Sequence, residues 1–455
     1  METKLRWLFF FQFVVISILF FVTGSYRNWP YKIESDGKYY YQYLISVWYD
    51  GDIDFSNNYN HPRYPFMHTE IDHYHFRDIL TPETGRPINV FTTGSAILWF
   101  PFFLVASGLA YFLNNLGLTN IVLDGWGLYF QYAVMYAAVI YSTLTILLMF
   151  QLLKSHFDRQ IAFITPFILF WATNWVYYSI FEVSMSHVYD LFTLVLFVWI
   201  YLQAHTRQKT AAYVLAGAVA GLHILVRTQN ILTITVLIGY YIIGFIVQDK
   251  NRSASLRLLF KNNLLLVITM LLSLVPLFYA NIYLYGNIFA LPQGSGFLDF
   301  FHPEIYGVLF SYRNGLFSHH PILLLALAGL TAALFNYKSE KSYLHRLVLP
   351  LLLVFLVQLY INAAAADWWG GHAFGQRRLI SSFLLFAFGI AYLQKYLLPL
   401  SPLIRAGLWG VFTFFIVMNG YLMIIHLFMW SYDEPHNIAD WMFHRAPRML
   451  YIYFR

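Results

Sequence analysis

Apolar residues fall in long runs, most of near-spanning length, separated by short polar breaks and a few longer polar stretches. Runs of this length with few charges predict membrane-spanning helices rather than the half-apolar helices of a soluble core. Eleven spans are predicted, near 7–25, 128–152, 161–181, 188–205, 211–226, 230–247, 262–284, 319–337, 346–363, 379–396 and 404–427. The first run, Trp7 to Val22, has the length of a signal peptide, but no small-residue cleavage pattern follows it and aromatics line its exit, so it is read as a retained span. The expected architecture is an all-α polytopic membrane bundle, one domain over 1–455, with a long first loop 26–127, a bundle 128–427 and a tail 428–455.

Composition agrees: 59% of residues are hydrophobic and 11% charged. With the amino terminus placed in the cytoplasm, the inner side takes fifteen of the 28 lysines and arginines but only four of the 22 acids. That is a clear positive-inside bias. The segment 91–113, FTTGSAILWFPFFLVASGLAYFL, resists the scheme, because spanning would put every later basic cluster on the wrong side. It is expected to lie as helices at the outer interface, broken at Pro101; the alternative is a twelfth span. Cysteine is absent, which excludes disulfides and thiolate chemistry. No Walker, dinucleotide, G-x-S-x-G or H-E-x-x-H motif occurs, which speaks against a nucleotide-driven pump.

Chemistry is then expected on the outer face. ESDGKYYYQYLISVWYDGDIDFSNN, Glu34 to Asn58, follows the first span closely. Asp36 suits general-base work at the membrane surface, and equally the capping of a helix that starts there. Apolar and aromatic residues from Tyr39 to Trp48 recur at helical spacing, as in an amphipathic interfacial helix. Asp50, Asp52 and Asp54 resemble a cation loop or a solvated turn; His61, His68, Glu70, Asp72, His73 and His75 are weak metal-ligand candidates, with Glu70, Asp72, His73 and His75 foremost.

Arg227 interrupts an apolar helical pair, where a charge usually has a partner. Arg313 lies in LFSYRNGLFSHHP, and Arg377 and Arg378 follow the glycine-rich WWGGHAFGQ. Guanidinium forks and glycine-rich backbone both suit a phosphate or diphosphate on a lipid, although headgroup anchoring is the plainer use of arginine at an interface. Glu182 and His187 flank a predicted outer turn, where a histidine serves as a structural group or a ligand. Trp368, Trp369, His372 and Tyr39 could contact a sugar or belong to the aromatic belt.

Taken together, SDGKYY, NVFTTGSAILWFPFF, FEVSMSHVYDLF, LVRTQN, LPQGSGF, LFSYRNGLFSHHP and WWGGHAFGQRRLI resemble the GT-C membrane glycosyltransferases, in particular the bacterial branch of protein O-mannosyltransferases and lipid A aminoarabinose transferases. The resemblance covers nearly the whole chain. It implies a GT-C-like bundle in a bacterial inner membrane, an inverting transfer from a polyprenyl-phosphate sugar, and an acid of the first outer loop, here Asp36, near the acceptor. Family members commonly carry two adjacent acids, whereas Gly37 follows Asp36 here.

The function expected is transfer of a monosaccharide from that donor to a lipid, glycan or protein acceptor outside the membrane. Asp36 would be the catalytic base and Arg227, Arg313, Arg377 and Arg378 the donor-phosphate ligands. No cofactor is required, a divalent cation would assist, membrane lipids are partners and nucleic acid is not. The alternatives are a flippase or transporter of a lipid-linked saccharide, and a ligase or polymerase of lipid-linked glycans.

Overall fold

The computed structural model describes residues 2–26, 32–33, 35–59, 79–207, 209–248, 253–294 and 296–429. Among them, nine helices are long and apolar enough to cross a bilayer, and Arg159–Ala172, Thr210–Val226 and Ile322–Phe335 are shorter apolar helices. The only β pairing among the described residues is two isolated bridges, Leu80 with Pro87 and Leu298 with Ala365. The protein is therefore an integral, multi-pass, all-α membrane protein.

Eleven of these helices fall on the predicted spans; the other is Gly94–Asn115. The break expected at Pro101 is absent, because this helix runs through the proline as one 22-residue element. Proline frees the carbonyl of Ile97 and crowds it. Neighbouring helices commonly compensate such sites, and here Tyr141 donates its hydroxyl to the adjacent Leu98 carbonyl at 3.0 Å.

Other boundaries moved as well. The span predicted at 161–181 ends at Ala172, where Thr173 turns extended, and a separate helix Trp175–Ile180 follows. The carbonyls of Trp171 and Thr173 that this break exposes each accept a bond from Asn419 Nδ2 at 2.9 Å. The span at 262–284 is two helices, Ser253–Ser273 and Val275–Tyr285, divided just before Pro276.

Backbone packing divides the chain into two compact units interleaved in sequence. One comprises Met1–Thr143, Tyr178–Ile231 and Asp249–Ser295, the other Leu144–Tyr177, Leu232–Gln248 and Gly296–Arg455. In the first unit, a Cβ on Gly217 would stand 1.9 Å from Thr269 Oγ1 and one on Gly221 2.5 Å from Ser273 Cβ, so the helix Thr210–Val226 lies directly on Ser253–Ser273. Small residues at this four-residue spacing let helix backbones approach where no hydrophobic force separates protein from lipid.

The second unit uses the same device. Gly329, on Ile322–Phe335, and Gly389, on Phe383–Leu397, face one another, and a Cβ on Gly389 would reach 2.2 Å from the Ala326 carbonyl oxygen. Here too sits a buried ionic group: Glu340 accepts from Lys395 Nζ at 2.5 Å and bonds His156 Nε2 at 2.6 Å, with the His156 ring stacked on Tyr343 at 3.9 Å. The buried Glu340 carboxylate is thus partnered by a cation and an imidazole, as burial of charge requires.

Gly389→Val is expected to destabilise the protein by about 1–3 kcal/mol, the usual cost of overpacking a close contact. A lowered apparent melting temperature in detergent, absent for a substitution at open Gly407, is the measurement.

Candidate functional site

Asp36 stands ten residues past Tyr26, the end of the first helix, at the N-cap position of the helix Gly37–Ile45. Ser35 before it has φ +48°, the only non-glycine residue with positive φ among the described ones. Such a conformation costs energy in a residue with a Cβ and persists only where its surroundings impose it. The Asp36 carbonyl accepts the amides of Tyr39 and Tyr40, so the backbone does begin the helix. Its side chain makes no capping hydrogen bond; one carboxylate oxygen accepts from the Ser35 hydroxyl at 3.2 Å. Of the two uses open to Asp36, the cap is thus made by backbone alone.

Gly37 explains why one acid rather than two occupies this turn. A Cβ there would fall 2.2 Å from Ser184 Cβ and 2.9 Å from the Ser184 carbonyl oxygen. The turn 181–186 therefore presses on the start of the helix, and no second carboxylate fits beside Asp36. Glu182, half-buried, and His187, buried with its ring edge-on to Tyr178, flank that same turn.

The helix itself departs from the amphipathic reading, since every residue from Gly37 to Ile45 is buried. NVFTTG supplies much of the cover. Asn89 donates its side-chain amide to the Tyr39 carbonyl at 3.0 Å, and Phe91 stacks on the Tyr39 ring at 5.1 Å. Tyr43 donates its hydroxyl to the Phe91 carbonyl at 3.1 Å, and burial holds its pKa well above the usual value. Tyr39, a candidate sugar contact, is thus part of this packing. The same segment then clamps the helix Thr210–Val226: Thr92 donates to the Val226 carbonyl at 3.1 Å, and a Cβ on Gly94 would collide with the Leu225–Val226 peptide.

Arg227 follows immediately, and its partner is one the sequence reading missed. Asp190, in the first turn of the helix His187–Arg207, is buried and lies 3.7 Å from Arg227 Nη1. It also accepts Asn230 Nδ2 at 2.6 Å, and His223 Nδ1 sits 3.5 Å from it and 2.8 Å from Thr193 Oγ1. The only sequence hint was an acid inside the otherwise apolar run VYDLF.

The remaining candidates belong to the second unit. Asn314 donates its amide to the carbonyls of Trp369, at 2.8 Å, and Gly371, at 3.1 Å, which joins SYRNG to WWGG. Exposed Arg313 lies over the Trp369 ring at 4.9 Å. Gly307 leaves room for the Trp368 ring, and Gln376 donates to the Trp368 carbonyl at 3.1 Å. Gly370, Gly371 and Gly375 all have φ near +70°, which only glycine adopts without strain. Arg377, buried, runs alongside Gly370, Arg378 is paired with Asp367, and His372 is exposed.

Asp52 and Asp54 accept the amides of Asp54 and Ser56 in successive tight turns, as the solvated-turn reading expects. Among the described residues no group of three histidine, aspartate or glutamate side chains is placed to hold a metal ion. His61, His68, Glu70, Asp72, His73 and His75 lie outside the described residues.

No family model and no curated protein matches the chain. Solved structures do. The archaeal oligosaccharyltransferase AglB from Archaeoglobus fulgidus, in complex with an inhibitory peptide and a dolichol-phosphate, superposes with a TM-score of 0.51 at 14% identity, over 91% of this chain and 55% of that one. The fold is thus like that of the membrane part of the chain it superposes on in AglB. An apo form of the Archaeoglobus fulgidus oligosaccharyltransferase superposes at a TM-score of 0.46 and 14% identity, over 91% of this chain and 54% of that one. The chain spans about half the length of AglB, and at this identity the likeness is one of fold.

Removing the buried Asp190 carboxylate breaks its contacts with Arg227, Asn230 and His223 and should cost about 3–5 kcal/mol, the range for breaking a buried ion pair. Asp190→Ala is expected to lose more thermal stability than the double variant Asp190→Leu with Arg227→Met. Equal losses would show that the pair carries no such strain.

Proposed function

We propose that the protein is a membrane glycosyltransferase that moves a monosaccharide from a polyprenyl-phosphate donor to an acceptor on the extracytoplasmic side of a bacterial inner membrane. The observation that carries this reading is Asp36: a carboxylate ten residues past the first helix, next to the strained Ser35, whose side chain makes no capping bond, in a chain of GT-C-like fold. Ser35 and the turn 181–186 orient Asp36, and its carboxylate takes the proton of the acceptor hydroxyl or amine as that group attacks the anomeric carbon. The C–O bond to phosphate breaks as the new glycosidic bond forms, and the lipid phosphate departs with the electron pair.

Charge grows on that phosphate, and arginine is the side chain suited to it. In the second unit Arg313, exposed on Trp369, and Arg377, beside Gly370 in a glycine-rich loop, are assigned to the donor phosphate. Arg227 and Arg378 each stand against a carboxylate, so they are assigned to holding their segments. Trp368, Trp369 and His372 are available on the same loop as sugar contacts, and Glu182 and His187 line the turn behind Asp36. No step requires a metal ion, although a divalent cation near the phosphate would act in the same electrostatic sense.

Asp36→Asn should lower sugar transfer by roughly a hundred- to ten-thousandfold, the range for loss of a general base, with melting temperature unchanged. The assay is purified protein in nanodiscs with radiolabelled polyprenyl-phosphate sugars and a membrane extract as acceptor. A fully active variant would remove the base assignment. Arg313→Ala is expected to raise KM for the donor about tenfold, as loss of one charge-assisted contact does, and leave the melting temperature intact.

A further inference from the structure

The loop 297–312 of the second unit carries a run of bare aromatic rings. Phe301 is 92% exposed and Tyr306 76%, and Phe300, Phe310 and Tyr312 are exposed as well. An apolar patch of this kind marks a surface with a partner.

The rings are held in place. The Phe301 amide donates to Asp299 Oδ1 at 3.0 Å and His302 Nδ1 stands 2.9 Å from Asp299 Oδ2, which closes a turn with Phe301 at its tip. Backbone bonds tie this turn to the end of the helix Leu349–Ala364: the Asp299 amide donates to the Ala364 carbonyl at 2.8 Å, the Glu304 amide to the Ala363 carbonyl at 2.8 Å, and the Ala366 amide to the Phe297 carbonyl at 2.9 Å. The loop thus stands at the head of the stretch Tyr337–Ala364, which is long and apolar enough to cross a bilayer.

That helix decides what covers the rings. Leu353, Leu356 and Tyr360 are exposed on one of its faces, at positions i, i+3 and i+7. In a helix that spans a membrane such a stripe meets lipid. It runs on into the loop, because Tyr360 donates its hydroxyl to the Phe300 carbonyl at 2.6 Å and its ring stacks on Phe300 at 6.3 Å. Residues 296–312 contain no lysine or arginine, so attraction to anionic headgroups is not the driving force. Aromatic rings at the end of a span instead settle at the headgroup level by their apolar area.

We propose that the loop 297–312 is a ledge seated in the bilayer interface, with Phe300 and Phe301 entering the leaflet on the side of the candidate site, and that its partner is lipid rather than a second protein chain. The ledge reaches that site. The Trp368 ring packs 2.8 Å from where a Cβ on Gly307 would stand, and Arg313, at the end of the loop, lies over Trp369. Seating the ledge therefore sets the height of the tryptophan loop relative to the bilayer, whatever reaction proceeds there.

The chain has no cysteine, so one nitroxide label can be introduced without background. In phosphatidylcholine nanodiscs, the label on Phe301→Cys is expected to collide with oxygen in preference to a water-soluble nickel chelate, at a depth of about 5–10 Å below the headgroups, as for apolar faces seated at an interface. Leu353→Cys should lie deeper, and the label on exposed Lys338→Cys should meet mainly the chelate. Replacing Phe301 by photoreactive p-benzoylphenylalanine keeps an aromatic ring at the tip, and irradiation should then yield phospholipid adducts. If Phe301→Cys fails to fold, the photoreactive variant decides alone. A label at 301 reached by the chelate as freely as at 338 would place the loop in water and overturn the proposal. So would a label shielded from both reagents, or a cross-link to protein with no lipid adduct, since either would mean that a protein surface covers the rings.

Discussion

The break that precedes Asn230 in the first unit depends on a single buried carboxylate, Asp190. Asp190 lies among apolar helices, and in such surroundings an unpaired charge is far costlier than in water. Arg227, Asn230 and His223 therefore gather around it from the break between two helices and from the helix before it. That break could not stand without them, because it puts polar groups into a bundle with little water to satisfy them. Once Arg227 is fixed, the end of Thr210–Val226 is fixed too. Thr92 and Gly94 dock on that end and carry Asn89 and Phe91 to the helix that begins at Asp36.

Glycine does the complementary work wherever two backbones must meet. At Gly37 the missing Cβ lets the turn around Ser184 press on the start of the helix, which limits the acidic chemistry there to one residue. At Gly375 it lets the His320 ring approach the loop that bears Arg377 and Arg378. A fold assembled by such contacts tolerates wide divergence elsewhere. Lipid-facing positions ask only for apolar character, which is consistent with a shared fold at 14% identity. A shared fold does not transmit an activity, so the proposed chemistry is argued from Asp36 and the arginine loop.

The sequence by itself determined the class of protein and the position of nearly every span, because a bilayer demands long apolar runs and each run declares itself locally. It also marked Asp36, SYRNG, WWGG and the arginines as places of interest, since charges and glycines are conspicuous against that background. It did not determine where helices break. The helix Gly94–Asn115 runs through Pro101 and Arg159–Ala172 runs through Pro166, yet the latter ends at Thr173, where Asn419, remote in sequence, takes up the carbonyls of Trp171 and Thr173.

Partnership was likewise a matter for the tertiary structure. Asp190 reads as a stray acid in an apolar run until packing brings it to Arg227, 37 positions away along the chain. Residues Tyr39 to Trp48 read as an amphipathic helix by their spacing, yet the tertiary fold buries every one up to Ser46 and leaves Val47 and Trp48 exposed. Hydrophobic periodicity reports which residues can be buried. Only the placement of other segments decides which of them are, and which charges they must then satisfy.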